Sequence, residues 1–345
     1  MEFALFGCGR IGRVHAESIA LEPRANLARV CDAVKDAARA VAETYGGQPG
    51  SDIDAALADP KIEAVVIAAP TPLHVDLLTR SIQAGKAVLC EKPIDLDIAR
   101  VDECRSRIGS GSSRVMVGFN RRFDPSFRTV HSRVAAGEIG RLEQLTIISR
   151  DPAPSPAEYL ATSGGLFRDM TIHDFDMARF FLGDIMEVSA LGSNLVADYI
   201  ADLGDVDGAV TSLRGRDGAL CTIINSRRAT FGYDQRLEAF GSLGMLSVDN
   251  LRPDGVRAFT ADSTESATRY LDFFLDRYTP SYRAELSHFI DAINAGTVPE
   301  PGFDDGHAAL AVANAAAESL RTGRTVKVDS AATADDTTAT VGGSR

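Results

Sequence analysis

The chain has 345 residues, 45% of them hydrophobic and 24% charged, with a formal net charge of −12. That length suits about two domains with a sizeable core. The acidic balance argues against nucleic acid or an anionic membrane surface as partner, and no stretch is long enough to span a bilayer, so a cytoplasmic protein handling small molecules is expected.

In chain order, "EFALF" (2–6) reads as a short buried strand, followed by "GCGRIG" and a helical pattern over 13–20. "NLARVCD" is a second strand, and "AVKDAARAVAETYG" a helix stopped by Gly46 and Gly47. "IEAVVIAAP" is a continuous apolar run of the kind a central parallel strand needs. "HVDLLTRSIQAG" is a helix, "KAVLCEKP" a strand with a proline stop, "LDIARVDECRSRIG" a helix and "RVMVGFN" a strand. This alternation predicts a doubly wound parallel α/β sheet over residues 1–120.

After residue 120 the rhythm changes. Helical patterns cover 125–136 and 167–182. "RLEQLTIISR", "EVSALGSNLV", "VDGAVTSLRG", "GALCTIINSRR" and "QRLEAFGSLGMLSVD" are β-rich runs separated by glycine turns. They predict an open antiparallel sheet of about five or six strands. Two helices, 282–295 and 304–322, close an α+β domain over 121–328. The small, polar, non-periodic segment 329–345 reads as a disordered tail.

The five cysteines (Cys8, Cys31, Cys90, Cys104 and Cys221) are odd in number and widely spaced, with no CxxC pair. Reduced thiols are expected, not a disulfide framework or a zinc knuckle. The "LFGC" at 5–8 imitates a lipoprotein cleavage box, but it has no basic n-region and too short an apolar run.

"GCGRIG" supplies Gly7, Gly9 and Gly12 in GxGxxG spacing between a strand and a helix, the context in which this motif binds a dinucleotide. Gly7 allows the tight turn, Gly9 the approach of a pyrophosphate and Gly12 the packing of helix on strand, with Arg10 and Ile11 between them. Asp32, at the end of the second strand, is placed to accept from a ribose 2′-hydroxyl and to repel a 2′-phosphate, which favours NAD over NADP. Lys35 leaves room for NADP. The next strand end carries Ala69, Pro70, Thr71 and His74, placed to line the cofactor. His74 reads equally well as a structural residue.

"CEKP" sets Glu91 and Lys92 at a further strand end, facing the same crevice. A buried lysine is costly unless it has a partner or a task. In "GGLFRDMTIHDFDMARF", Asp169, His173 and Asp176 fall on one helical face. Three readings stand: a metal site, a structural polar cluster, or a general base His173 tuned by Asp169. The other histidines lack ligand spacing to this cluster, so no metal is expected.

Together "GCGRIG", "CEKP" and "DMTIHDFD" resemble the glucose–fructose oxidoreductase / inositol dehydrogenase / rhizopine-catabolism family. "GFNRRFDPSF", "SGGLFRDMTIHDFDMARF", "NSRRATFGYDQRLEAFGSLGML" and "FFLDRY" extend the likeness to its inositol dehydrogenase branch, over about 1–328. The resemblance implies a Rossmann domain followed by a domain built on an open antiparallel sheet, and homotetramers formed through that sheet's outer face. It also implies a catalytic triad of Lys92, Asp169 and His173. Asn120, Arg122, Asp151, Asp176 and Tyr233 are candidates to hold further hydroxyls of a cyclic polyol. The implied reaction is NAD-dependent oxidation of such a polyol, myo-inositol to its 2-keto form. Alternatives are another inositol isomer, a sugar or an aminocyclitol precursor, a non-catalytic NAD sensor, and a metal-dependent hydrolase or isomerase.

Overall fold

The computed structural model describes residues 1–328; the tail expected at 329–345 lies outside the described residues. Six short strands form the first sheet: β1 Glu2–Phe6, β2 Asn26–Cys31, β3 Gln48–Gly50, β4 Ala64–Ile67, β5 Ala87–Cys90 and β6 Val115–Val117. All pairs are parallel, in the order β3-β2-β1-β4-β5-β6. The order reverses between β1 and β4, the crevice where such sheets bind ligands. The apolar runs of β1, β4 and β5 are buried on both faces. The helices around this sheet are α1 Arg10–Leu21, α2 Lys35–Tyr45, α3 Ile53–Ala58, α4 His74–Gln83 and α5 Ile98–Ile108.

A 3₁₀ turn at Asn120–Phe123 and helix α6 (Pro125–Ala135) lead into the second sheet. Its strands are β7 Leu142–Arg150, β8 Ile185–Ser193, β9 Gly208–Gly215, β10 Leu220–Ser226, β11 Asp234–Gly241 and β12 Gly244–Val248; a hairpin of β13 Arg257–Ala258 and β14 Ser266–Ala267 stands apart, and β15 Val326–Lys327 joins the second sheet's edge. That sheet has seven strands, ordered β12-β11-β7-β10-β9-β8-β15. It is antiparallel except at its centre, where β7 and β10 run parallel with Ser149 opposite Asn225. Alternating burial in β9 and β10 turns one face to the core.

Helices α7 Ala157–Ser163, α8 Leu166–Asp169 and α9 Ile172–Leu182 fall between β7 and β8, and α10 Asp198–Asp202 between β8 and β9; α11 Phe274–Ala295 and α12 Phe303–Thr322 complete the chain. Two sequence expectations change. The helix predicted over 167–182 is two helices, α8 and α9, broken at Met170 and Thr171. The helix predicted to begin at 282 begins at Phe274, with Pro280 inside it despite the N–H that proline lacks.

Helices α11 and α12 also return to the first sheet. Leu286, Phe289 and Ile290 pack with Phe3, Leu5 and Ile19, and Phe303, Ala309 and Leu310 pack with Ile67, Val88 and Val117 on the opposite face. A boundary near residue 120 separates the sheets in sequence but not their packing.

Candidate active site

The turn after β1 is tight enough to require glycine. Gly7 has φ +99°, and a Cβ there would sit 2.5 Å from the Ala68 carbonyl oxygen; a Cβ on Gly12 would sit 2.0 Å from that of Gly7. At Gly9 a Cβ would meet nothing within 4 Å, so this side of the turn is open. Gly9 caps α1 without any side-chain acceptor, leaving first-turn amides for an anion. Arg10 is exposed and Ile11 half-buried beside them. The Asp32 carboxylate accepts from the Cys8 and Val34 amides at 2.7 and 2.8 Å, which fixes it at the rim of the turn. Pro70 is exposed and Ala69 and Thr71 half-buried at the end of the adjacent strand β4. Open amides to donate, a fixed carboxylate to accept and a bare glycine backbone are what the pyrophosphate and ribose of a dinucleotide need.

Two residues expected at the cofactor have other work. His74 is 1% exposed. Its ring nitrogens lie 2.8 Å from the Pro93 carbonyl and 2.7 Å from that of Ala69, so it ties the β4 and β5 loops together. Glu91 is buried, with one oxygen 2.8 Å from His15 Nε2 and the other accepting the Lys92 amide at 3.3 Å. Its side chain thus braces the turn that carries Lys92.

The structure brings Lys92 and Asp169 together across the two sheets. The Lys92 ammonium donates to the main-chain carbonyl of Asp169 at 2.7 Å. The break between α8 and α9 makes this possible, because a terminal carbonyl of a helix lacks an intrahelical donor. The Asp169 carboxylate, expected to orient His173, is instead held by Tyr159 Oη (2.7 Å) and Arg227 Nη1 (3.3 Å). The four-residue spacing does not deliver the Asp–His bond, because the helix is interrupted at Met170 and Thr171.

His173 keeps partial exposure, while its Nδ1 is buried without a hydrogen-bond partner. Phe119 packs edge-on against the ring, centroids 6.2 Å apart. Burial, reinforced by the charges of Lys92 and Arg121, holds the imidazole well below its ordinary pKa. The ring is therefore neutral near pH 7, the form that accepts a proton.

Asp151, just after β7, is pushed up to about 6 by burial; Arg227 and Arg121 oppose that rise, and Asp169 and Asp174 add to it. Behind these residues runs a buried polar network. Arg121 donates to Asp174 at 2.5 Å; Asn225 donates to the other oxygen of Asp174 at 2.8 Å and accepts from Thr171 at 2.9 Å. It anchors the start of α9 to the second sheet.

Arg122 and Asp176, expected to meet substrate hydroxyls, pair with each other instead. Arg122 Nε and Nη2 grip the two Asp176 oxygens at 2.9 and 2.6 Å, and Nη2 also reaches Asp305 at 3.0 Å. Both side chains are nearly inaccessible, and the guanidinium lies over Phe180. Asn120 and Tyr233 are also buried, the latter edge-on to Tyr278.

Sequence reasoning missed Arg227, Tyr159, Arg121 and Asp174. Tyr159 was the lone aromatic in the proline-rich "DPAPSPAEYL", which gave a signal. Arg227 comes beside Asp151 only through the parallel β7–β10 pairing, which no local pattern announces.

Among the described residues no cluster of three or more His, Cys, Asp or Glu is arranged to hold a metal ion, and no helix is long and apolar enough to cross a membrane.

Residues 1–119 match the oxidoreductase family with NAD-binding Rossmann fold, and residues 127–247 match the GFO/IDH/MocA C-terminal domain. Inositol 2-dehydrogenase of Rhizobium meliloti is 46% identical over 329 residues, covering 95% of this chain and 99% of that protein. The crystal structure of a myo-inositol dehydrogenase from Corynebacterium glutamicum superposes with a TM-score of 0.94 at 52% identity, covering 95% of this chain and 99% of that one. A scyllo-inositol dehydrogenase of Lactobacillus casei, solved with bound NAD(H) and scyllo-inositol, superposes with a TM-score of 0.87 at 28% identity, covering 95% and 99% of the two chains. The chain belongs to the GFO/IDH/MocA family of oxidoreductases.

Proposed function

We propose that this protein is an NAD-dependent dehydrogenase that oxidises myo-inositol to 2-keto-myo-inositol. The observation that carries this reading is the meeting of Lys92 with Asp169, next to a neutral, partly exposed His173, at the carboxyl ends of β4 and β5. The full-length likeness to inositol dehydrogenases supports the choice of substrate.

Gly7, Gly9, Arg10, Ile11, Gly12, Asp32, Ala69, Pro70 and Thr71 would hold NAD, with the α1 amides on the pyrophosphate and Asp32 on the ribose diol. NAD, when bound, supplies the hydride acceptor. His173 takes the hydroxyl proton through Nε2, since Nδ1 is shut in by packing. Lys92 donates to the same oxygen and favours developing alkoxide. Asp169, held ready by Tyr159 and Arg227, accepts from a neighbouring hydroxyl; Asp151, Asn120 and Tyr233 serve the others. Residues 1–120 form the cofactor domain and 121–328 the substrate domain.

We further propose a cytoplasmic homotetramer acting in inositol catabolism. The outward face of the second sheet supports assembly: Leu191, Val210, Leu220, Phe240 and Met245 are all at least 42% exposed there, and such apolar patches mark interfaces.

The test is absorbance at 340 nm with NAD and a panel of myo-, scyllo- and D-chiro-inositol, glucose and xylose, with NADP in parallel. Preferred turnover of myo-inositol with NAD is expected. Silence with every polyol would overturn the reading.

A further inference from the structure

Arg227 is a guanidinium in a place where a charge is costly. It follows β10 and is 1% exposed. Its Nη1 lies 3.3 Å from Asp169 Oδ2 and its Nη2 lies 3.6 Å from Asp205 Oδ2, while Nε and Nη2 have no hydrogen-bond acceptor. Its backbone amide is fixed on the Asp207 carbonyl at 2.8 Å. A surface arginine would be fully solvated. This one is desolvated and only partly hydrogen-bonded, so its compensation is electrostatic and comes from carboxylates.

Three carboxylates surround it, and their positions are specific. Asp205 accepts the amide of Leu166, the first residue of α8, at 3.0 Å. Asp169 is the last residue of the same helix. A helix of four residues does not hold itself, and Arg227 closes a loop of contacts from one of its ends to the other. The third carboxylate is Asp151, the neighbour of Arg227 across the parallel strands: Ser226 pairs with Arg150, and the Asp151 amide donates to the Ser226 carbonyl at 3.0 Å.

We infer that Arg227 is a positioning residue for the dehydrogenation: it is the shared counter-ion of Asp151 and Asp169, and it sets the direction of the Asp169 carboxylate by clamping α8 through Asp205. This rests on the polyol dehydrogenase reading. Arg227 does not touch the reacting atoms; it acts through the two carboxylates that hold the neighbouring hydroxyls of the polyol.

The electrostatics agree. Arg227 is the strongest influence holding Asp151 down against burial, which still leaves it at about 6. The other groups facing Asp151 are Asp169 on α8, Arg121 on the 3₁₀ turn and Asp174 on α9; Tyr159 on α7 and Tyr233 before β11 also feel its charge. Arg121 is bonded to Asp174, and Arg227 outweighs it in holding Asp151 down. If Asp151 must be ionised to accept a polyol hydroxyl, the acid limb of catalysis belongs to it and its position depends on Arg227.

The experiment compares pH profiles of kcat/KM for myo-inositol, with NAD saturating, in the full-length wild type, Arg227→Gln, Arg227→Lys and Asp151→Asn; NADH affinity is followed by fluorescence. The wild type is expected to show an acid limb near pH 6. In Arg227→Gln that limb moves up by about one unit, so kcat/KM at pH 6.5 falls about threefold and at pH 5 about tenfold, while NADH affinity stays within about twofold. Arg227→Lys, which keeps the charge, brings the limb back toward the wild type. Asp151→Asn removes it. An active wild type with an Arg227→Gln profile superimposed on it would overturn this inference alone. Should Arg227→Gln not fold, Arg227→Met takes its place in the comparison, and a limb that persists in Asp151→Asn overturns the inference. A wild type that turns over no polyol would overturn the inference together with the reading it rests on.

Discussion

The Lys92 ammonium lies 2.7 Å from the main-chain oxygen of Asp169, so a side chain just after β5 of the first sheet meets a peptide carbonyl of the helical segment between β7 and β8 of the second. Removing one hydrogen-bond donor aimed at a developing oxyanion costs about two to three orders of magnitude in kcat in acyl-transfer enzymes. Lys92→Met is expected to lower kcat by about 10²–10³-fold with NAD affinity retained; stopped-flow hydride transfer and NADH titration check this. Full turnover in Lys92→Met would remove the ammonium from the chemistry.

His173→Gln should lose about 10²–10⁴-fold in kcat, the usual worth of a general base. It should also alter stability against pH. The native pKa of His173 lies well below its ordinary value because of burial and the nearby cations. The unfolded chain therefore binds the extra proton first, and the native state loses stability as pH falls below about 6.5. His173→Gln lacks that loss, so urea midpoints at pH 5 should fall less from their pH 8 values in the variant than in the wild type. Parallel curves would count against a neutral buried imidazole.

The Arg122–Asp176 pair makes a structural prediction. Removing one partner of a buried ion pair leaves an uncompensated charge and costs about 3–5 kcal/mol. Asp176→Asn should lower the unfolding free energy by about that amount, while KM for the polyol in the folded fraction changes little. A large KM effect with unchanged stability would return Asp176 to the substrate.

Asp32 holds the Cys8 and Val34 amides, so Asp32→Ser should weaken NAD by about 1.5–3 kcal/mol, the worth of hydrogen bonds to a charged group. NADP should gain relative to NAD, since the repulsion is gone. The ratio of kcat/KM for the two cofactors measures this. An unchanged ratio would place cofactor choice elsewhere, with Lys35 the next residue to examine.

How much of this was legible beforehand depends on the range of the interaction. The strand–glycine–helix unit around Gly7, Gly9 and Gly12 is local, and its spacing was sufficient to read it. The same holds for the strand-end placement of Asp32 and Lys92, which follows from βα alternation. Glu91, Arg122 and Asp176 read from their strand end, turn or helix face as facing a ligand, and His74 as either that or structural. Each instead satisfies a partner distant in the chain: the Pro93 carbonyl for His74, His15 for Glu91, and Asp305 for the Arg122–Asp176 pair. Local periodicity carries no information about such partners. The break at Met170 and Thr171 was hidden because the residues around it keep helical spacing; tertiary contacts at Asp169 and Thr171 override it.

The return of α11 and α12 to the first sheet bears on how the molecule is made. Phe303 and Leu310 finish a face of that sheet, and Asp305 holds the Arg122–Asp176 pair behind the site. On the ribosome, where domains generally fold as units from the N-terminus, the first six strands would emerge with part of their apolar surface still bare. The nucleotide-binding half is thus exposed to misassociation until some 200 further residues have been synthesised. A nascent chain stalled before residue 303 should be captured by holdase chaperones, and one released after residue 322 should not.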